Sequence, residues 1–194
     1  MENINAAQLD TDIQYRFAYL SKFLNFTQDD ISVLNKIAPV VVPLVPTVVD
    51  AIYGNLFSFD ITKSIFANNT VHFKGNTTTT PGSLDLTPER VTFLKDMLGT
   101  YLKKALSQSE WNKEFLDYLS HLGKIHANKA ASGNVNISYI FMNATLGFAQ
   151  HVLLNALLTS DLGLDEGTKI AAILAVNKFF WIQNDFFTMH YISN

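Results

Sequence analysis

A histidine on the apolar stripe of a helix has few ways to satisfy its two ring nitrogens, and His126 is such a residue. It stands four residues after Leu122, in line with Phe115, Tyr118, Leu119 and Leu122, near the end of a helical pattern. A buried neutral imidazole needs one donor and one acceptor partner. A haem iron satisfies one nitrogen and a nearby acceptor the other. A histidine bonded within the core satisfies both with no metal. Tyr53 is the second polar group on an apolar stripe. Val45, Val48, Val49, Ile52, Tyr53 and Leu56 follow the i, i+3, i+4, i+7, i+8, i+11 spacing of one helix face. Its hydroxyl points inward, either to a ligand over such a metal or to a backbone carbonyl.

Little else in the chain suggests chemistry. The other histidines are His72, His121, His151 and His190, and no two histidines form an i, i+4 metal pair. His121 and His126, five apart, fall on different helix faces. Apolar faces carry no paired carboxylates. No phosphate loop, dinucleotide glycine pattern, nucleophile elbow or zinc-protease helix motif is present. Absence of cysteine removes disulfides, zinc ribbons, iron–sulfur clusters and thiol catalysis. Arg16 and Arg90 are the only arginines, which argues against phosphate clamps. A net charge of −3 and a pI near 5.9 argue against a basic nucleic-acid footprint. The expectation is a binding protein without catalytic residues.

The elements that position His126 and Tyr53 read almost entirely as helix. The chain has 194 residues, 48% apolar and only 16% charged, where about 25% charged is usual. Such a chain must cover apolar surface with a membrane, a large apolar cofactor or a partner subunit. Residues 8–24 form a first amphipathic helix, and Thr27 with Asp30 opens the next as a capping box. Pro43 and Pro46 break or kink the apolar run that follows. GNTTTTPGSLDLT, residues 75–87, is a loop. Thr87-Pro88-Glu89 then supplies a cap, a first-turn proline and a first-turn acid. Leu94, Leu98, Tyr101, Leu102 and Ala105 form the next stripe. Ser109 can cap the helix that carries His126.

Residues 130–160 contain no Asp, Glu, Lys or Arg, long enough to raise a transmembrane span. Asn143, Gln150, His151 and Asn155 are costly at bilayer depth. The expectation is a helix buried on most sides, ending at Leu162-Gly163-Leu164. Asp165 caps a last helix over about 166–192, apolar nearly all round. Two such helices side by side suggest a protein interface. The expected fold class is all-α with six to eight helices and no membrane span. Five N-x-S/T sequons (Asn25, Asn68, Asn76, Asn136, Asn143) are chance products of an Asn- and Thr-rich chain. Without cysteine or an apolar N-terminal signal core, the expected location is cytoplasmic.

Around these residues the chain resembles the protoglobins and the globin domains of globin-coupled sensors. The matching strings are Gly123-Lys-Ile-His126, Asn136-Ile-Ser-Tyr139, Arg16-Phe-Ala-Tyr19, Phe26-Thr-Gln-Asp29-Asp30 and Val49-Asp50-Ala-Ile-Tyr53. They cover about residues 10–192. The resemblance implies a globin-like, three-over-three helical sandwich with an extra N-terminal helix, one domain over 1–194 with no transducer domain. It implies haem b held by His126, with Tyr53 donating a hydrogen bond to a diatomic ligand (O2, CO or NO). Leu94 falls at the usual distal-histidine place and Leu98 one turn on. Thr145 falls at a pocket position that is aromatic in some protoglobins. Tyr139 falls on the proximal side, and His72 remains a candidate sixth ligand. The family's dimers form through the last two helices, which implies a homodimer here. The implied function is gas sensing, storage or scavenging, with redox side activity such as NO dioxygenation. The rival is a haem-free globin-like interaction module.

Overall fold

The structure, a computed structural model, describes residues 1–68, 73–75 and 84–192. The described residues form helices and no strand. They are α1 (Ala6–Thr11), α2 (Ile13–Leu24), α3 (Gln28–Val41), a 3-10 turn (Val42–Leu44), α4 (Val45–Phe57), α5 (Asp60–Asn68), α6 (Pro88–Ser107), α7 (Lys113–His126), α8 (Tyr139–Thr159) and α9 (Glu166–Ile192). His72 lies outside the described residues, as does most of the Thr-rich loop.

The helix boundaries follow local chemistry. The expected first helix is two: the Asp12 carboxylate accepts from the amides of Gln14 and Tyr15 and starts a new helix there. Helix α2 ends at Asn25 in the left-handed conformation (φ 51). The Thr27–Asp30 capping box forms with both reciprocal bonds, which is worth about 1 kcal/mol. Pro43 sits in the 3-10 turn and Pro46 in the first turn of α4, so the apolar run breaks in two. Thr87 caps α6 with Pro88 in its first turn. Asn112, not Ser109, caps α7: its Oδ1 accepts from the Phe115 amide at 3.1 Å. Among the described residues there are nine α-helices, one beyond the expected six to eight.

Helices α3, α6 and α7 pack over α4, α8 and α9. The contacts run α3 to α9, α3 to α6, α4 to α6, α4 to α8, α7 to α9 and α8 to α9. Helix α2 lies outside these two layers against α7 and α9. This is three helices over three with an extra N-terminal helix. Charged pairs fasten α9 to the helices packed on it. Lys178 of α9 reaches Asp30 at 2.9 Å and the Asn25 carbonyl at 2.6 Å. Arg16 grips Asp185 with two donors, one at 2.8 Å.

Two apolar stretches, Gln28–Phe57 and Tyr139–Thr159, are long enough to cross a bilayer. The first is interrupted by the 3-10 turn, and both contribute residues to the core. Helix α8 departs from expectation. It begins only at Tyr139 and buries one face, through Met142, Leu146, Ala149, Leu153 and Leu157. Ile140 and Leu158 stand exposed on it.

Candidate functional site

The two layers leave an apolar cavity of about 220 Å³ between them. Tyr53 of α4, Leu94 and Leu98 of α6, His126 of α7 and Thr145 of α8 all line it. Tyr139 does not. Its hydroxyl meets Thr188 Oγ1 at 3.1 Å and its ring lies 5.2 Å from that of Tyr191. A second apolar cavity of about 290 Å³, between α4, α5 and α8, shares Ile52 and Thr145 with the first.

His126 is held by its own helix and by the loop after it. Its Nδ1 lies 2.7 Å from the Leu122 carbonyl oxygen. A carbonyl only accepts, so Nδ1 carries the proton and Nε2 a lone pair. The loop folds back on the last turn of α7. Ile137 donates its amide to the His126 carbonyl at 2.8 Å and Val135 to the Ile125 carbonyl at 3.0 Å. The Phe187 ring stands edge-on to the imidazole, centroids 5.3 Å apart. Gly123 brings α7 close to α9: a Cβ there would lie 2.5 Å from the Phe186 carbonyl oxygen. Burial pushes the His126 pKa down, offset in part by the Leu122 bond, so the ring is neutral at pH 7.

Apart from His126, the polar groups of the lining are engaged. Tyr53 donates to the Leu94 carbonyl at 3.0 Å, and burial pushes its pKa up. Tyr101 meets Gln183 Oε1 at 3.2 Å, and Gln183 in turn donates to the Leu119 carbonyl. Thr145 donates to the Phe141 carbonyl at 2.7 Å. Among the described residues, the Nε2 of His126 is the lining nitrogen without a hydrogen-bond partner. A neutral imidazole with Nδ1 tied to a carbonyl and Nε2 free is the arrangement of a metal-binding histidine. The described residues hold no cluster of His, Cys, Asp or Glu that could bind a free metal ion. A metal here would need other ligands of its own, as the iron of a macrocycle has.

Sequence reasoning placed Tyr101 on a stripe but gave it no place in the site. Its partner Gln183 is fully buried on α9, and no local pattern links the two. The Nδ1 acceptor of His126 is left open by the sequence, and the structure places the Leu122 carbonyl there, one turn earlier on the same helix.

Two layers of three helices around a cavity that presents a histidine define a globin. The family model described as Protoglobin matches residues 13–194, and the chain belongs to that family. It is also similar in fold to the globin domain of the Geobacter sulfurreducens globin-coupled sensor, with a TM-score of 0.70 at 14% identity. That match covers 91% of this chain and 97% of the other. No curated protein sequence matches the chain.

Proposed function

We propose that the chain holds haem b in the main cavity and through it binds diatomic gases (O2, CO, NO) reversibly, for sensing, storage or scavenging. The observation that carries this reading is the state of His126: it lines an apolar cavity with Nδ1 committed to a carbonyl and Nε2 left without a hydrogen-bond partner among the described residues. Membership of the protoglobin family supports it. When bound, haem supplies an iron whose open coordination position accepts a small ligand. His126 would hold the metal through Nε2, and the Leu122 bond keeps the ring in the tautomer that leaves Nε2 unprotonated. Leu94 and Leu98 exclude water. Tyr53 is the polar group of the α4–α6 side, able to donate to a ligand once its hydroxyl leaves the Leu94 carbonyl. The role is binding rather than turnover, with redox chemistry as a side activity.

A haem-free interaction module is the second reading, and two observations favour it. The cavity lies below the roughly 300–1,000 Å³ of most ligand pockets, and Tyr53 is turned to the backbone. A macrocycle requires this cavity to widen.

We further propose a homodimer through α8 and α9, whose outer faces carry Ile170, Leu174 and Trp181. The lack of cysteine fits a reducing cytoplasm.

A visible spectrum of the reduced protein, before and after CO, tests the reading beside His126→Ala. A Soret band that shifts with CO and is lost in the variant is the expected result. No Soret band even after haem is added overturns it in favour of the haem-free module.

A further inference from the structure

Arg90 is a buried cation that the site does not use. It stands in the first turn of α6 and is only 4% exposed. Its Nη2 donates to the Phe66 carbonyl near the end of α5. Its Cζ lies 5.7 Å from the centre of the Phe73 ring. Its Nε is buried with no partner. No carboxylate pairs with it among the described residues. Residues 69–83, between α5 and α6 in the sequence, contain no Asp or Glu.

The Phe66 bond and the Phe73 ring stabilise the guanidinium in part, but its burial and its unpartnered Nε cost stability. A buried guanidinium normally has a carboxylate, because a lone buried charge loses its hydration without return. A cation in the first turn also faces the positive end of the helix dipole. Burial pushes the Arg90 pKa down. The carbonyl of Phe66 accounts for one of five N–H donors, and a neutral side chain would tie α5 to α6 as well.

The position gives the charge a use. Phe66 and Phe93 line the main cavity, and Arg90 touches the first and precedes the second by three residues. Leu94 follows Arg90 by one helical turn and lines the same cavity. The guanidinium therefore lies just behind the α5–α6 wall. We propose that Arg90 is a carboxylate anchor: it takes an acid group of an amphiphilic occupant whose apolar body fills the main cavity. The inference rests on the haem reading above and assigns to Arg90 one propionate of that group. A carboxylate fits the planar fork with two parallel bonds and supplies the missing counter-charge.

The test compares haemin with haemin dimethyl ester, which keeps the macrocycle and blocks both acids. Haem-free full-length chain is loaded with each, and release to an excess of an acceptor apoprotein is followed in the visible. The wild type should release the ester about tenfold faster than the acid. Arg90→Gln should release the acid as fast as the ester, and Arg90→Lys should fall between. Equal release of acid and ester by the wild type overturns the anchor, and so does a difference that survives in Arg90→Gln. Should Arg90→Gln fail to fold by far-UV dichroism, the wild-type comparison and Arg90→Lys decide. A free small anion is the other source of negative charge. If nitrite or phosphate raises the melting temperature of the haem-free wild type but not of Arg90→Lys or Arg90→Gln, while acid and ester behave alike, the site takes that anion and the anchor fails. A wild type that takes up neither porphyrin sinks the haem reading and the anchor together; the other failures leave the haem reading standing.

Discussion

Tyr53 of α4 and Leu94 of α6 are joined at the cavity wall: the phenol hydroxyl donates to the Leu94 carbonyl oxygen at 3.0 Å. That bond fixes the two helices and occupies the hydrogen that a bound gas needs. Any bond from Tyr53 to a ligand is made at the expense of the one to Leu94, so its net worth is smaller than a free donor's.

Tyr53→Phe should therefore act twice. The haem-free chain should lose about 0.5–1.5 kcal/mol of stability, the net worth of one hydrogen bond. The haem-loaded chain should release O2 faster by roughly tenfold, about 1.4 kcal/mol, while CO, a poorer acceptor, changes less. Stopped-flow displacement reads both rates. An unchanged O2 release rate removes Tyr53 from the ligand side and leaves it the structural bond alone.

Gly123 is where α7 meets α9. An added Cβ meets the Phe186 carbonyl oxygen at 2.5 Å, His190 Cδ2 at 2.8 Å and Phe187 Cα at 3.1 Å. Backbone cannot step aside, so Gly123→Ala should cost about 1–3 kcal/mol and push His126, three residues on, out of line. Gly54 in α4 has nothing within 4 Å of such a Cβ, and Gly54→Ala should stabilise by up to about 1 kcal/mol through helix propensity. Urea unfolding of the pair checks both signs. Equal effects would mean that the close approach at Gly123 does not constrain the chain.

How much of this was legible without the structure differs residue by residue. The limits of α9 were, because Asp165 and the apolar pattern mark them locally; its Oδ1 accepts from the Thr168 amide at 2.8 Å. The start of α7 was not. Ser109 and Asn112 are both cap formers, and Trp111 between them is seated among the rings of Phe17, Phe26, Phe115 and Phe179, a choice made by tertiary contact. The burial of α8 was misread because a helix apolar all round carries no face signal. Tyr53 was rightly placed inside, but its acceptor lies 41 residues away. Arg90 reads as an ordinary first-turn cation until Phe66 closes over it.

His190 makes the fold sensitive to acid. Its Nε2 lies 2.9 Å from Ser120 Oγ in a buried pair. Burial first, then the charges of Lys124, Lys129 and Arg16, push its pKa down to about 4, against the Ser120 contact. Above pH 6.5 the ring is neutral folded and unfolded, and its contribution is complete. Between about 6.5 and 4 the unfolded chain binds a proton that the folded chain refuses, so stability falls with pH. His190→Asn should flatten that fall. Urea midpoints of both haem-free proteins across pH 4–8 decide it; parallel curves would exclude His190 as the source.

Trp181 offers the last prediction. Ile170, Leu174 and Trp181 are spaced four and seven apart on α9, and each is more than half exposed. Beside them α8 carries no charged residue from Tyr139 to Thr159. A surface of this kind meets water without recompense unless a second copy covers it. In an isologous pair each substitution is felt twice, and an aromatic at the centre of an interface is worth about 2 kcal/mol or more. Trp181→Glu should thus turn a dimer into a monomer in sedimentation runs at micromolar concentration. Its helicity should not change, because the indole contributes little to the core of one subunit. A wild type already monomeric there, or a variant still dimeric, would place the partner surface elsewhere and leave the apolar face of α9 for a different protein.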